Sequence, residues 1–143
     1  MEFTNPPDNE IRAILARPTT VAVIGCSDNP ARDSLRIAKL LKTRGFKVIP
    51  VNPQLGPESL RKELGETCYP DLASIPELVE IVDVFRRSEF VPDVVDEAIR
   101  LKVPAIWLQE GVVHEEAAEK ARKAGIFVVM DLCILKEHRR RFS

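Results

Sequence analysis

Five short apolar runs recur along the chain: Val21-Ala22-Val23-Ile24, Val48-Ile49-Pro50-Val51, Ile81-Val82-Asp83-Val84-Phe85, Ala105-Ile106-Trp107-Leu108 and Ile126-Phe127-Val128-Val129. Each is mostly β-branched or aromatic and almost free of polar alternation. Such runs suit strands covered on both faces, the situation in a parallel sheet. Amphipathic segments lie between them. In residues 34–44 the apolar positions Leu35, Ile37, Ala38, Leu40 and Leu41 form one helical face, and Gly45 supplies a stop signal. Val91, Val94, Val95, Ala98 and Leu101 mark a second helix, with Pro92 in its first turn, where a missing N–H costs nothing. Residues 115–124 form a third, stopped by Gly125. A further helix is expected near residues 8–16, capped by Asp8 or Asn9. Residues 54–80 read as loops around one or two short helices. Alternating strand and helix predicts an α/β, Rossmann-like, doubly wound five-stranded parallel sheet in three layers, with strand order 3-2-1-4-5. The chain divides into a helical arm (1–17), a core (18–135) and a basic tail (136–143) within a single domain.

Composition narrows the function classes. The 143 residues are a common size for one domain. Net charge is −1, from 21 basic and 22 acidic residues, so nothing in the balance draws the chain to nucleic acid or to a membrane. No apolar run approaches the ~20 residues of a membrane span. The start of the chain lacks the basic and apolar regions of a signal peptide, which points to a soluble cytoplasmic protein. Cys26, Cys68 and Cys133 are widely spaced and odd in number, so neither a disulfide framework nor a zinc site is expected. Two histidines, His114 and His138, suggest no metal site.

In doubly wound sheets ligands bind beyond the carboxyl ends of the strands. The first strand runs into Gly25-Cys26-Ser27-Asp28-Asn29-Pro30, and a helix starts near Asp33 or Ser34. A glycine there permits close approach of backbone to ligand, and the helix start offers free N–H groups to a phosphate. A dinucleotide site would carry Gly-x-Gly-x-x-Gly and an acidic residue ~20 positions later. Only Gly25 is present, and the second strand ends in Asn52-Pro53. No Walker lysine motif follows either. NAD and P-loop chemistry are therefore disfavoured.

The ordered blocks Val21-Ala22-Val23-Ile24-Gly25-Cys26-Ser27, Val51-Asn52-Pro53, Gly65-Glu66-Thr67-Cys68-Tyr69, Val82-Asp83-Val84-Phe85-Arg86, Trp107-Leu108-Gln109-Glu110-Gly111 and Cys133-Ile134 carry a resemblance. Across residues 19–137 the chain resembles the small stand-alone CoA-binding proteins of bacteria and archaea, and through them the CoA-binding domain of the succinyl-CoA synthetase alpha subunit. The resemblance implies coenzyme A as cofactor. It sets Gly25, Cys26 and Ser27 against the pyrophosphate, with Arg32 and Ser34 binding phosphates at the helix entrance. It sets Asn52 and Pro53 near the adenosine. Phe85, Arg86 and Arg87 would stack on adenine or meet the 3′-phosphate. Gln109, Glu110 and Gly111 would line the path of the pantetheine arm. Tyr69 lies in a loop able to close the site. The resemblance sets Cys133 near the thiol end, although buried packing is the better reading of it. Cys26 departs from the family, which carries a small apolar residue there. The chain also lacks the synthetase's second domain with its phosphorylated histidine.

Two functions follow. One is a non-catalytic module for CoA or an acyl-CoA, serving a homodimer or an unidentified protein partner. The other is a cysteine-dependent enzyme or redox switch acting on a CoA thiol or disulfide through Cys26, since a thiol at a helix N-terminus can be acidified. Against the second, Cys26 fits a small residue in a tight turn, and no catalytic base–nucleophile pair is visible. His114 reads as a helix cap or surface residue and Trp107 as core.

Overall fold

The computed structural model describes residues 3–142, so the outermost residues of the arm and tail (Met1, Glu2 and Ser143) lie outside the described residues. The five apolar runs form strands β1 (Thr20–Ile24), β2 (Lys47–Val51), β3 (Ile81–Val84), β4 (Ala105–Leu108) and β5 (Phe127–Met130). All neighbours pair in parallel. The helices are α1 (Asp8–Leu15), α2 (Asp33–Thr43), the short α3 (Arg61–Leu64), α4 (Val91–Leu101), α5 (Glu115–Lys123) and α6 (Ile134–Phe142). Pro7 stands at the N-cap of α1 and no side-chain cap is made there among the described residues, so the expected cap from Asp8 or Asn9 is not seen. The basic stretch from Lys136 onward belongs to α6, which packs against α1 and α2.

Side-chain alternation divides the core into two layers of apolar contacts. Ala22, Ile24, Val82, Val84, Ile106 and Leu108 pack with α4 and α5 on one face of the sheet. Val21, Val23, Ile81, Ala105 and Trp107 pack with α1, α2 and α6 on the other. The three-layer Rossmann-like α/β architecture is therefore as the sequence predicts. Trp107 is fully buried and its Nε1–H donates to the Leu132 carbonyl (2.8 Å).

The strand order is 2-1-3-4-5, not 3-2-1-4-5. β3 pairs with β1, which leaves β2 at the edge. Pro50 supplies the physical reason. Proline has no N–H for a ladder, so it is confined to edge strands, with its nitrogen facing outward. Among the described residues the outer side of β2 meets a single bridge, Val51 to Tyr69, where the Tyr69 N–H donates to the Pro50 carbonyl (3.1 Å). The order reverses between β1 and β3, and that gap is the switch point where a doubly wound sheet opens for a ligand.

Candidate functional site

The turn after β1 is held by short polar bonds. Gly25 adopts φ +82, and its N–H donates to the Val51 carbonyl (2.8 Å). The Asn52 side chain donates to the Cys26 carbonyl (2.9 Å) and accepts from the Gln54 N–H (2.8 Å), tying the ends of β1 and β2 together. Ser34 Oγ accepts from the Ser27 N–H (2.9 Å), and Ser27 Oγ accepts from the Asn29 N–H (3.0 Å). Ser27 and Ser34 thus shape the turn with their hydroxyls. Arg32 occupies the cap position of α2, exposed, and no side chain caps that helix. The first N–H groups of α2 remain open to an anion.

Two clefts flank the segment 85–87 that leaves β3. The first, about 420 Å³, is lined by Gly25, Asn52, Pro53, Phe85, Arg86 and Arg87, and by Asp71, Phe90, Asp93 and Glu97 among others. The second, about 310 Å³, shares Phe85, Arg86 and Arg87 and adds Gln109, Glu110, Gly111 and Cys133, with Arg36 and Lys136. The Arg86 and Arg87 guanidinium groups lie 4.2 and 5.3 Å from the Phe90 ring centre, a cation–π arrangement that presents both at the shared wall. Most of the expected site residues therefore converge. Tyr69, Ser34, Ser27 and Arg32 line neither cleft. Tyr69 instead packs against the core, and its neighbours Pro70 and Asp71 reach the first cleft.

Asp93 and Glu97 of α4, Phe90 just before it and Arg36 of α2 also line the clefts, and nothing in the sequence pattern singles them out; Lys136 joins them from the basic stretch, which reads from sequence as a solvated helix end able to touch an anion. The first turn of α6 faces the β4 loop. There Lys136 pairs with Glu110 (3.0 Å).

Cys26 does not face either cleft. Its side chain is fully buried in the α2/α6 layer. Burial above all, then the nearby Cys68 and Asp83, push its thiol up to about 12. At neutral pH it is a buried thiol rather than an exposed thiolate, the opposite of what a nucleophile requires. Cys68 and Cys133 are also buried. No group of three or more metal-ligating side chains occurs among the described residues.

Below the turn lies Asp83, in register with Val23 and Trp107 and wholly buried. Neither carboxyl oxygen has a partner among the described residues, and burial holds its acid well above the usual carboxylate range. Between the unfolded pKa of about 4 and the raised folded value, only the unfolded chain releases this proton. Stability therefore falls as pH rises through that window, and the penalty is absent below it. Asp83→Asn mimics the neutral acid. Urea denaturation should show it as stable as the native chain at pH 4 and more stable at pH 8; an equal gap at both pH values would contradict the assignment.

A parallel sheet with open strand ends and a polar-bonded turn at its switch point defines a doubly wound α/β domain, with its candidate ligand site at that switch point. The chain belongs to the CoA binding domain family, whose model matches residues 19–139. It is 40% identical over 134 residues to the Bacillus subtilis protein called "Uncharacterized protein YneT", covering 94% of this chain and 96% of that one. It is also 29% identical over 127 residues to "Acetate--CoA ligase [ADP-forming] I" of Archaeoglobus fulgidus, but spans only 18% of that enzyme's length. A solved structure, "hypothetical protein from Pyrococcus horikoshii OT3", superposes with a TM-score of 0.88 at 35% identity, with each chain covered completely.

The residues present fit a polyphosphate ligand of this size. The available donors are the uncapped start of α2 and the arginines at the shared wall, and the two clefts lie on either side of that wall. No helix among the described residues is long and apolar enough to cross a membrane.

Proposed function

We propose that this protein binds coenzyme A or an acyl-CoA and holds it without transforming it. The observation that carries the reading is the pair of clefts meeting at Arg86 and Arg87 across the β1/β3 gap, in a chain of the CoA-binding family. The diphosphate would lie along the turn at Gly25, Cys26 and Ser27, before Arg32 and Ser34 at the start of α2. The adenosine end would occupy the first cleft, beside Asn52 and Pro53, with Phe85 and the arginines offering a stacking plane and a partner for the 3′-phosphate. The pantetheine arm would follow Gln109, Glu110 and Gly111 through the second cleft toward Cys133. Chemically, the bound group supplies a thiol that carries acyl units. The chain's own residues bind and orient it, and the buried Cys26 thiol offers no attacking group. Such a module would work in the cytoplasm, delivering its ligand to a second copy or to another protein.

Calorimetric titration tests this. CoA should bind saturably at one site per chain. Dephospho-CoA should bind about tenfold more weakly, having lost one charge-assisted contact. NADH should not bind, because no carboxylate ends β2. Absence of CoA binding at millimolar concentration would sink the reading.

A further inference from the structure

We propose that Asp131 is a positioning residue for the second cleft, acting through Gly111. The proposal rests on the CoA reading above and goes beyond it, because Asp131 lines neither cleft. Asp131 is one of two non-glycine residues with positive φ among the described residues, at +63. The other, Lys102, ends a helix, where this conformation is commonplace. Asp131 instead sits in the turn between β5 and α6, at the carboxyl edge of the sheet where ligands bind. Strained backbone at such an edge persists only where surrounding contacts impose it.

Those contacts are visible. Asp131 Oδ1 accepts from the Gly111 N–H (2.8 Å), twenty residues back in the chain. Gly111 is itself left-handed, with φ +82. Its carbonyl accepts a long bond from Ser88 Oγ (3.4 Å), and Ser88 Oγ accepts in turn from the Val113 N–H (2.9 Å). Ser88 directly follows the two arginines of the shared wall. In the reverse direction, Gln109 Oε1 accepts from the Ile134 N–H at the start of α6 (3.1 Å). The loops after β3, β4 and β5 are thus sewn together at Gly111. The turn so fixed supplies the wall of the second cleft formed by Gln109, Glu110 and Gly111. Asp131 sets the height of that wall relative to Arg86 and Arg87, and so the width of the passage between them.

Three substitutions separate positioning from simple stability. Asp131→Asn keeps an acceptor oxygen and tolerates the left-handed backbone. Asp131→Gly relieves the strain but removes the acceptor. Asp131→Ala removes the acceptor and keeps the strain. Calorimetry with CoA should show Asp131→Gly weakened about tenfold, with a melting temperature within a few degrees of the native protein. Asp131→Asn should recover most of the affinity, and Asp131→Ala should lose both affinity and stability. If Asp131→Gly binds CoA as tightly as the native chain, or affinity merely tracks melting temperature across the series, the positioning role is wrong and the CoA reading stands. If the native protein binds no CoA, the CoA reading fails and the role of Asp131 falls with it.

Discussion

Gly25→Ala is expected to destabilise the protein by about 3 kcal/mol and to abolish CoA binding. Two costs add. At φ +82 an L side chain is strained, by about 1–2 kcal/mol. The new Cβ would also stand 3.0 Å from the Phe85 carbonyl oxygen and 3.1 Å from Arg86 Cγ. The first of these neighbours is backbone and cannot rotate away, so β1 and the segment after β3 must part, at a cost of about 1–3 kcal/mol typical of overpacking. That movement occurs at the switch point, where it displaces Arg86 from the wall it gives to both clefts. Gly111→Ala is the internal control. Its φ is also +82, but an added Cβ meets nothing within 4 Å, so only the backbone strain applies. Thermal denaturation should rank Gly25→Ala well below Gly111→Ala. Equal losses of stability would show that the contact with Phe85 carries no weight.

Arg86→Leu is expected to weaken CoA binding about a hundredfold with little change in melting temperature. Arg86 lines both clefts and stacks on Phe90. Unlike Arg87, which pairs with Glu89 at 3.6 Å, it enters no ion pair among the described residues. Its charge is therefore available to a ligand without breaking an ion pair. A bidentate contact to phosphate from a half-buried guanidinium is worth about 1.5–3 kcal/mol, or roughly ten- to a hundredfold in affinity. Leucine retains the packing of the stem, so a structural role alone would leave affinity unchanged. Lysine keeps the charge without the planar fork, and Arg86→Lys should fall between the two. The native protein should lose affinity as salt rises, and Arg86→Leu should lose less. If Arg86→Leu binds CoA like the native chain, the anion site lies elsewhere.

How far these residues could be read without coordinates depends on which physical rule places them. The five strands came directly from apolar runs, because burial on both faces leaves no room for polar alternation. Their order did not, although Pro50 carried the signal: a proline lacks the N–H that a ladder on that side of the strand would use, which favours an edge position. The convergence of Gly25, Asn52, Phe85, Arg86 and Gln109 followed from strand ends sharing one edge. The direction of Cys26 did not follow, because the left-handed backbone at Gly25 breaks the alternation that would otherwise assign its face. Asp93, Glu97 and Lys136 enter the clefts from helices. Which helical residue overhangs a strand end depends on how each helix crosses the sheet, and hydrophobic spacing alone does not specify that. Asp131 was invisible for a related reason, since its role rests on a bond to a residue in another loop.

The most direct test is a two-dimensional amide NMR titration of the native protein with CoA. Saturable shifts should cluster at Gly25, Cys26 and Ser27, at Arg86 and Arg87, and at Gln109, Glu110 and Gly111, and leave the opposite end of the sheet around Leu78 and Leu101 unmoved. No shifts at millimolar CoA, or shifts confined to that opposite end, would contradict the assignment of a CoA site to the β1/β3 switch point.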